Sequence, residues 1–273
     1  MDITSEISAL WAIGVMAAVF IGFAILEAVV PHRRLRHPRG QRWFTNLSLF
    51  VLDTVLVRAA IPLLMIGAAG FAQMRGWGLL NLVELPVWAE FIIAFLLLDL
   101  IIYAQHRITH RIPFLWRMHK VHHADPDFDI TTAARFHPFE IMLSMLYKMS
   151  CVVLIGPAVL AVFLFEVIFN AATIFTHANV GLPPKIDRLV RLIFVTPDMH
   201  RIHHSVHRTE SDSNYGTLLS VWDRVFGSYS ARSRGGRHDL TIGMPDYQDS
   251  RPNGLGFSLT LPFKSETPLK EDT

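Results

Sequence analysis

Eight of the 14 histidines in this 273-residue chain lie in three short clusters. The clusters are His106-x-x-x-His110, His119-x-x-His122-His123 and His200-x-x-His203-His204. On a helix, side chains three or four positions apart lie on one face, so each cluster presents its imidazoles together. Neutral imidazole is a common ligand of iron, copper and zinc. A lone histidine is more often a surface or core residue than a ligand, but a pattern repeated three times predicts a metal site.

The number of histidines predicts more than one metal ion. A single zinc takes four ligands, and eight imidazoles exceed that number. The one cysteine, Cys151, lies inside an apolar run and supports neither a disulfide nor a cysteine-ligated metal. We therefore predict a site that holds two metal ions.

The composition indicates that these clusters belong to a membrane protein. Hydrophobic residues make up 51% of the chain and charged residues 18%, which is too apolar for an ordinary soluble domain. The net charge is only +2, without a long basic stripe, so we expect no nucleic-acid partner.

Four apolar runs are long enough for membrane helices, at residues 7–30, 46–72, 86–105 and 139–178. The first lacks a basic segment before it and a clear cleavage site, which favours a retained helix over a signal peptide. The last is too long for one crossing, and Gly156-Pro157 near its middle predicts a hairpin of two helices. The predicted fold is an all-α integral membrane protein with four to five hydrophobic helices and a cytoplasmic helical cap carrying the histidine-rich dimetal site.

Arginine placement predicts the orientation of these helices. Loop 31–44 contains five arginines, whereas loop 72–85 contains only Arg75 and the segment before the first helix has no basic residue. Basic loops stay on the cytoplasmic side. Loop 31–44, the three histidine clusters and the C-terminal region are therefore expected there, with the N-terminus outside.

The three clusters, in this order between hydrophobic runs, resemble those of the fatty acid hydroxylase and sterol desaturase superfamily. Further motifs that carry the resemblance are Arg135-Phe136-His137-Pro138, Thr196-Pro197-Asp198-Met199-His200 and Trp222-Asp223-Arg224-Val225-Phe226-Gly227. The resemblance covers residues 90–230. It divides the chain into N-terminal membrane helices with a basic loop (1–85), a catalytic domain (86–230) and a cytoplasmic C-terminal tail (231–273).

The resemblance implies a multi-pass membrane oxygenase with two iron ions that hydroxylates an unactivated C–H bond of a lipid. The lipid would be a sterol, a fatty acyl chain or a related molecule in the bilayer, with O2 as co-substrate. An alkyl C–H bond offers no acid, base or leaving group, so a redox metal is needed, and zinc has no redox role. Because the sequence contains no haem, flavin or cysteine-cluster motif, electrons are expected from a separate ferredoxin or b-type cytochrome with its reductase. The expected location is a bacterial inner membrane or an endoplasmic-reticulum-like membrane.

The resemblance also assigns roles to single residues. The metal ligands it implies are the eight cluster histidines and one further residue, namely His106, His110, His119, His122, His123, His177, His200, His203 and His204. Thr173 stands where some members have another histidine, so water or the amide of Asn170 or Asn179 could complete one site. The two amides could equally be packing or capping groups.

Two further residues are predicted to act in catalysis. Asp99 precedes His106 by two helical turns within an apolar run, where carboxylates are costly and often functional. It would orient an imidazole of another cluster or line the pocket. His137, in the family's His-Pro pair, is expected to orient a ligand or to line the substrate pocket. His207 is not expected to be a ligand.

Other functions use histidines too. A desaturase would use the same di-iron centre, a zinc-dependent membrane hydrolase or isomerase would need no O2, and a metal transporter would line a continuous path with histidines. A membrane cytochrome would have single histidines facing a haem inside the spans. Here the histidines cluster at the ends of the apolar runs, which favours the oxygenase.

Overall fold

The structure, a computed structural model, describes residues 3–61, 63–236 and 239–265. Within these ranges the chain forms α-helices joined by loops and short 3-10 turns, without a β-strand, so the predicted all-α fold is confirmed. The helices are α1 (Ile3–Val29), α2 (Arg39–Ala60), α3 (Met65–Arg75), α4 (Val87–Arg111), α5 (Pro113–His123), α6 (Pro138–Ile155), α7 (Val159–His177), α8 (Pro184–Val190), α9 (Pro197–His203), α10 (Arg208–Ser211), α11 (Val221–Val225) and α12 (Leu255–Thr260).

Among the described residues, five stretches are long and apolar enough to cross a membrane. They are Leu10–Val29, Arg39–Leu82, Val87–Arg111, Pro138–Ile155 and Val159–His177, and at most 29% of any of them is buried inside the protein. Such a large exposed apolar surface needs lipid around it. Five is the upper of the two predicted helix counts, because the run 139–178 contributes two spans.

The hairpin of α6 and α7 turns at Gly156, which has a left-handed φ of 68°. The tip packs tightly against the segment after α3, since a Cβ added to Gly78 would lie 2.4 Å from the Gly156 nitrogen. The Asn81 side-chain amide also donates to the Gly156 carbonyl at 3.2 Å. An 18-residue helix is about 27 Å long, so each arm of the hairpin is long enough to cross the hydrocarbon core of a membrane.

The core of the membrane part lies where α3, α4, α6 and α7 meet. Ala69, Leu98, Val152 and Phe165 are buried there, each 1% exposed or less. Small residues on α3 let its backbone approach α6, as is common between membrane helices. This packing fixes the ends of α4 and α7, which carry histidines.

The connection between α1 and α2 lies beside the histidine-bearing segments. The Arg36 backbone N–H donates to the Asp127 carboxylate at 2.9 Å, and the Arg42 guanidinium pairs with Asp125 and Asp129. Loop 31–44 and the histidine clusters therefore share one end of the protein. Two of the five arginines in that predicted loop, Arg39 and Arg42, belong instead to α2, and Arg42 is fully buried.

The segment that carries the third histidine cluster does not form one continuous helix with the chain before it. This part of the chain consists of α8 and α9, separated by residues 191–196. The Thr196 hydroxyl accepts a hydrogen bond from the Met199 N–H at 3.3 Å, and Pro197 occupies the first turn of α9. Both features start a new helix at this point, because they satisfy or remove a backbone donor.

Candidate metal centre

Four helices bring the predicted ligands to one place. Histidines come from the end of α4, from α5, from the end of α7 and from α9 with the residue after it. They form two groups, within each of which one ring nitrogen per residue lies within 4.8 Å of the others. The five-histidine group is His106, His110, His119, His123 and His203, and the four-histidine group is His122, His177, His200 and His204. All nine predicted ligands are thus brought together, eight of them buried and His106 partly buried.

The Nδ1 atoms of six of these rings face oxygen acceptors. Since a carbonyl or carboxylate oxygen can only accept, each of these nitrogens carries the ring hydrogen and leaves Nε2 with a lone pair. The contacts are His106 to the Tyr215 carbonyl (2.7 Å), His110 to the Asp212 carboxylate (3.2 Å), His119 to the Glu140 carboxylate (2.6 Å), His122 to the Arg135 carbonyl (3.2 Å), His177 to the Thr173 carbonyl (2.8 Å) and His203 to the Ser213 carbonyl (2.8 Å).

The Nε2 atoms point at one another. Their separations are 3.1 Å for His110 and His123, 3.2 Å for His106 and His119, 3.3 Å for His122 and His177, and 3.1 Å for His177 and His200. In the His106–His119 and His122–His177 pairs both Nε2 atoms are acceptors, so they repel unless a cation lies between them. With metal–nitrogen bonds of about 2.0–2.1 Å, neighbouring ligand nitrogens lie about 2.8–3.4 Å apart. The observed spacing fits a metal ion in each group.

Buried nitrogen atoms without hydrogen-bond partners support the same conclusion. His203 Nε2 and both ring nitrogens of His204 are buried and lack a partner. An unsatisfied buried polar atom costs roughly 1–3 kcal/mol, and coordination to a metal would remove that cost.

Burial also keeps five imidazoles outside the membrane spans neutral. It lowers the pKa of His122, His123, His200 and His204 well below the usual value, and neighbouring imidazoles lower it further. Burial and His119 together lower the pKa of His203 to about 3. Neutral imidazole is the form that binds metal.

Two carboxylates that orient ligands were not identified from the sequence. Glu140 lies in the first turn of α6 and holds His119, while Asp212, just after α10, holds His110. Glu140 did give a signal, because it is an acidic residue at the start of an apolar run. Asp212 lies in a polar segment and gave none.

Aromatic rings enclose the imidazoles. Phe136 stacks on His122 with ring centroids 4.5 Å apart, and Phe128 stacks on His177 at 5.5 Å. Trp116 lies 4.9 Å from the His110 ring, and the Arg208 guanidinium lies over the Trp116 ring at 4.6 Å. The His122 and His177 rings are each buried against one of these phenylalanines.

The two predicted catalytic residues have partners other than the nine histidines. Asp99 accepts a hydrogen bond from the Trp222 indole at 2.8 Å, which ties α4 to α11. His137 caps α6 by accepting from the Phe139 N–H at 3.3 Å, and its other nitrogen faces the Leu259 carbonyl at 3.2 Å. Their catalytic roles stay predictions.

The two amides considered as extra ligands also contact other groups. The Asn170 side chain donates to the Glu166 carbonyl at 2.8 Å, one turn earlier on α7. Asn179 exchanges two hydrogen bonds with the backbone of Arg33. These contacts favour the packing and capping interpretation of both residues.

A buried ion-pair network lies directly after the second histidine cluster in the chain and holds that segment against α2. Arg42 binds both oxygens of Asp125 at 2.7 and 2.8 Å and one oxygen of Asp129 at 2.6 Å. Burial raises the pKa of Asp125, but the charge of Arg42 outweighs this and lowers it to about 2. Arg135 donates to the Val121 carbonyl and to Asn46, so α2 and α5 are fixed together.

Comparison with known proteins adds independent information. A family model described as fatty acid hydroxylase matches residues 91–228, about half of the chain. Alkylglycerol monooxygenase of Danio rerio is 30% identical over 220 residues, which are 78% of this chain and 47% of that protein. The human alkylglycerol monooxygenase is 32% identical over 148 residues, 54% of this chain and 32% of that protein.

A bacterial relative is matched along more of its length. Ornithine lipid hydroxylase OlsE of Rhizobium tropici is 27% identical over 252 residues, 87% of this chain and 72% of that protein. The chain therefore spans less than half of the two alkylglycerol monooxygenases and most of the ornithine lipid hydroxylase. No solved structure matches the chain.

Proposed function

The chain belongs to the fatty acid hydroxylase family, and on that premise we propose that it is a membrane-bound di-iron oxygenase that hydroxylates an unactivated C–H bond of a lipid. The observation that carries this proposal is the pair of buried imidazole groups with facing Nε2 atoms at the ends of α4 and α7. The relatives are named monooxygenases and hydroxylases, which supports oxidation as the reaction class.

In this proposal each histidine group holds one iron ion through Nε2 atoms. Bound iron supplies the redox chemistry by which O2 is activated towards an alkyl C–H bond. The residues of the chain would hold the iron ions and orient the ligand rings. Glu140 fixes the ring of His119, Asp212 fixes that of His110, and backbone carbonyls fix four more rings. Phe128 and Phe136 exclude water, which protects the reaction from side products.

The overall reaction balances only with an external reductant. One oxygen atom of O2 enters the C–H bond and the other leaves as water, which consumes two electrons and two protons. We propose a ferredoxin or a b-type cytochrome with its reductase as the separate donor. A one-electron carrier of this kind would act from the cytoplasm, and the arginines around the α1–α2 connection favour that side for the metal centre.

The substrate is proposed to enter from the bilayer. The two histidine groups lie at one end of the α4 and α7 spans. The apolar chain of a lipid could therefore reach them while its polar end stays at the membrane interface. A sterol, a fatty acyl lipid or a related lipid meets this requirement. Desaturation of the same lipid is the second candidate, because it also begins with oxidation of a C–H bond at the same centre.

The test is labelling with heavy-isotope dioxygen in a bacterial host that expresses the chain, followed by mass spectrometry of extracted lipids. We expect a lipid that carries one heavy oxygen atom, and we expect it to be absent from cells expressing His204→Ala. Loss of two hydrogens without label would indicate desaturation. A lipid change that persists without O2 would indicate a hydrolase or isomerase, and no lipid change together with metal uptake would favour a transporter.

A further inference from the structure

A cavity of about 390 Å3 lies between α8, α9 and the segment 231–236. Its volume is within the usual range of ligand sites. The charged residues that line it are Arg188, Arg191, Arg201, Arg232, Asp187 and Asp198. Four arginines against two aspartates leave an excess of positive charge in a concave site, which favours an anionic ligand.

The inner wall of this arginine cavity is rigid. Arg201 is 1% exposed and is held by Asp198 and by the carbonyls of Ala178 and Val180. Arg191 is 7% exposed and pairs with Asp187, and its buried Nε has no hydrogen-bond partner among the described residues. Both inner arginines therefore hold their positive charge at fixed positions in the cavity wall.

The rim of the cavity is formed by the exposed side chains of Arg188 and Arg232. Guanidinium groups bind phosphate oxygens through paired N–H donors, and long exposed side chains can turn towards such a ligand. A fixed inner wall with adjustable rim arginines suits a phosphate group that enters from one side.

The position of α8 indicates where that phosphate comes from. The residues of α8 that line the cavity are Pro184, Asp187 and Arg188, and Arg191 just after the helix lines it too. Ile186, Leu189 and Ile193 lie on the opposite face and are 49%, 69% and 57% exposed. One face is thus charged and the opposite face is apolar, as in helices that lie in a membrane interface. The start of α8 is seven residues after the end of the last span at His177, a distance of at most about 25 Å.

We propose that the arginine cavity binds the phosphate group of an anionic phospholipid. With the apolar face of α8 in the acyl boundary, the cavity lies at the depth of the lipid headgroups. Free inorganic phosphate shares the charge but gives no reason for the apolar face. The site is independent of the proposed oxygenase reaction, although Arg201 links it to the helix that carries His200 and His203.

The experiment measures binding by titration calorimetry on the purified full chain in non-ionic detergent. The probes are dihexanoyl phosphatidylglycerol, dihexanoyl phosphatidylcholine and inorganic phosphate, each below its micelle concentration where that applies. We expect phosphatidylglycerol to bind best. Each of Arg188→Gln and Arg232→Gln should weaken it roughly fivefold, and the double variant roughly 30-fold.

The matched control is Arg251→Gln, an exposed arginine outside the cavity that pairs with Asp249, and it should leave the affinity unchanged. Equal affinity for phosphatidylcholine, equal affinity for inorganic phosphate, or unchanged binding in the double variant would each overturn the proposal. Absence of any lipid binding would also overturn the proposal, and it would indicate that the apolar face of α8 contacts another protein instead. Because turnover is not measured, a failure of the oxygenase proposal does not affect this result.

Discussion

At the scale of single residues, the histidine rings are held by the groups that face their Nδ1 atoms. Four of the six acceptors are backbone carbonyls, and only Glu140 and Asp212 are side chains. Orientation by a hydrogen-bonded acceptor raises the affinity of an imidazole for metal. The two carboxylates are therefore the positions where mutation can test this orientation.

Replacing Glu140 should weaken metal binding without removing a ligand. We expect Glu140→Leu to lower iron affinity about 10- to 100-fold, the usual effect of losing such a partner. Glu140→Gln should be milder because its amide oxygen can still accept from His119. Iron retained against increasing chelator measures the effect, with the exposed Glu84→Gln as control. Equal retention by Glu140→Leu and the unchanged protein would contradict the role given to this carboxylate.

Replacing single histidines should remove single metal ions. We expect about two irons per chain in protein purified without chelator, and no more than one in His204→Ala or His123→Ala, with turnover abolished in both. His207→Ala should keep two, because His207 belongs to neither group. Elemental analysis gives the stoichiometry, and zinc in place of iron would not count against it, since zinc also binds nitrogen well. One metal in the unchanged protein, or loss of metal in His207→Ala, would contradict the two-group arrangement.

The ligands were predictable from the sequence because imidazoles at helical spacing are a local pattern. The carbonyls that orient them were not, because every residue has one and only the fold decides which carbonyl faces a ring. Thr173 illustrates this difference. The sequence shows the absence of a histidine there, whereas the structure shows that its carbonyl accepts from His177.

At the scale of elements, the attachment of α2 to the segment after α5 depends on Arg42. Arg42→Met should destabilise the protein by about 3–5 kcal/mol, because it leaves buried carboxylates without a counter-charge. Combining it with Asp125→Asn should recover part of the loss. Denaturant unfolding in detergent measures both. The exposed pair of Arg251 and Asp249 is the control, and Arg251→Met should cost no more than about 1 kcal/mol.

Element boundaries were predicted well where the sequence contains a breaker and poorly where charge alone was used. Gly156-Pro157 predicted the turn of the α6–α7 hairpin, and α6 ends at Ile155 with Gly156 as its cap. Arg42 was counted among the arginines of the basic loop 31–44, but it lies in α2 and is buried. Its partners, Asp125 and Asp129, lie more than 80 positions away, and no local pattern connects them.

At the scale of the whole molecule, the metal centre and the α3 end of the bundle should lie on opposite sides of the membrane. We expect Ser250→Cys to be labelled from the cytoplasm and Gln73→Cys from outside, both in a Cys151→Ala background. Both positions are exposed, whereas Ser211 in the cap is only 6% exposed and would resist labelling. Labelling of the two cysteines from the same side would contradict the five-span arrangement, and labelling of Ser250→Cys from outside would reverse the orientation.

The α6–α7 hairpin has a consequence for the biosynthesis of the protein. Neither histidine group lies wholly before or after the hairpin in the sequence. The five-histidine group includes His203, which follows the hairpin, and the four-histidine group combines His122 before it, His177 at its end, and His200 and His204 after it. A chain still being translated and inserted therefore cannot complete the five-histidine group before residue 203 is made, or the four-histidine group before residue 204 is made. Under the proposed function, metal loading would therefore be a late step of maturation, and a chain terminated before residue 203 would lack both complete histidine groups.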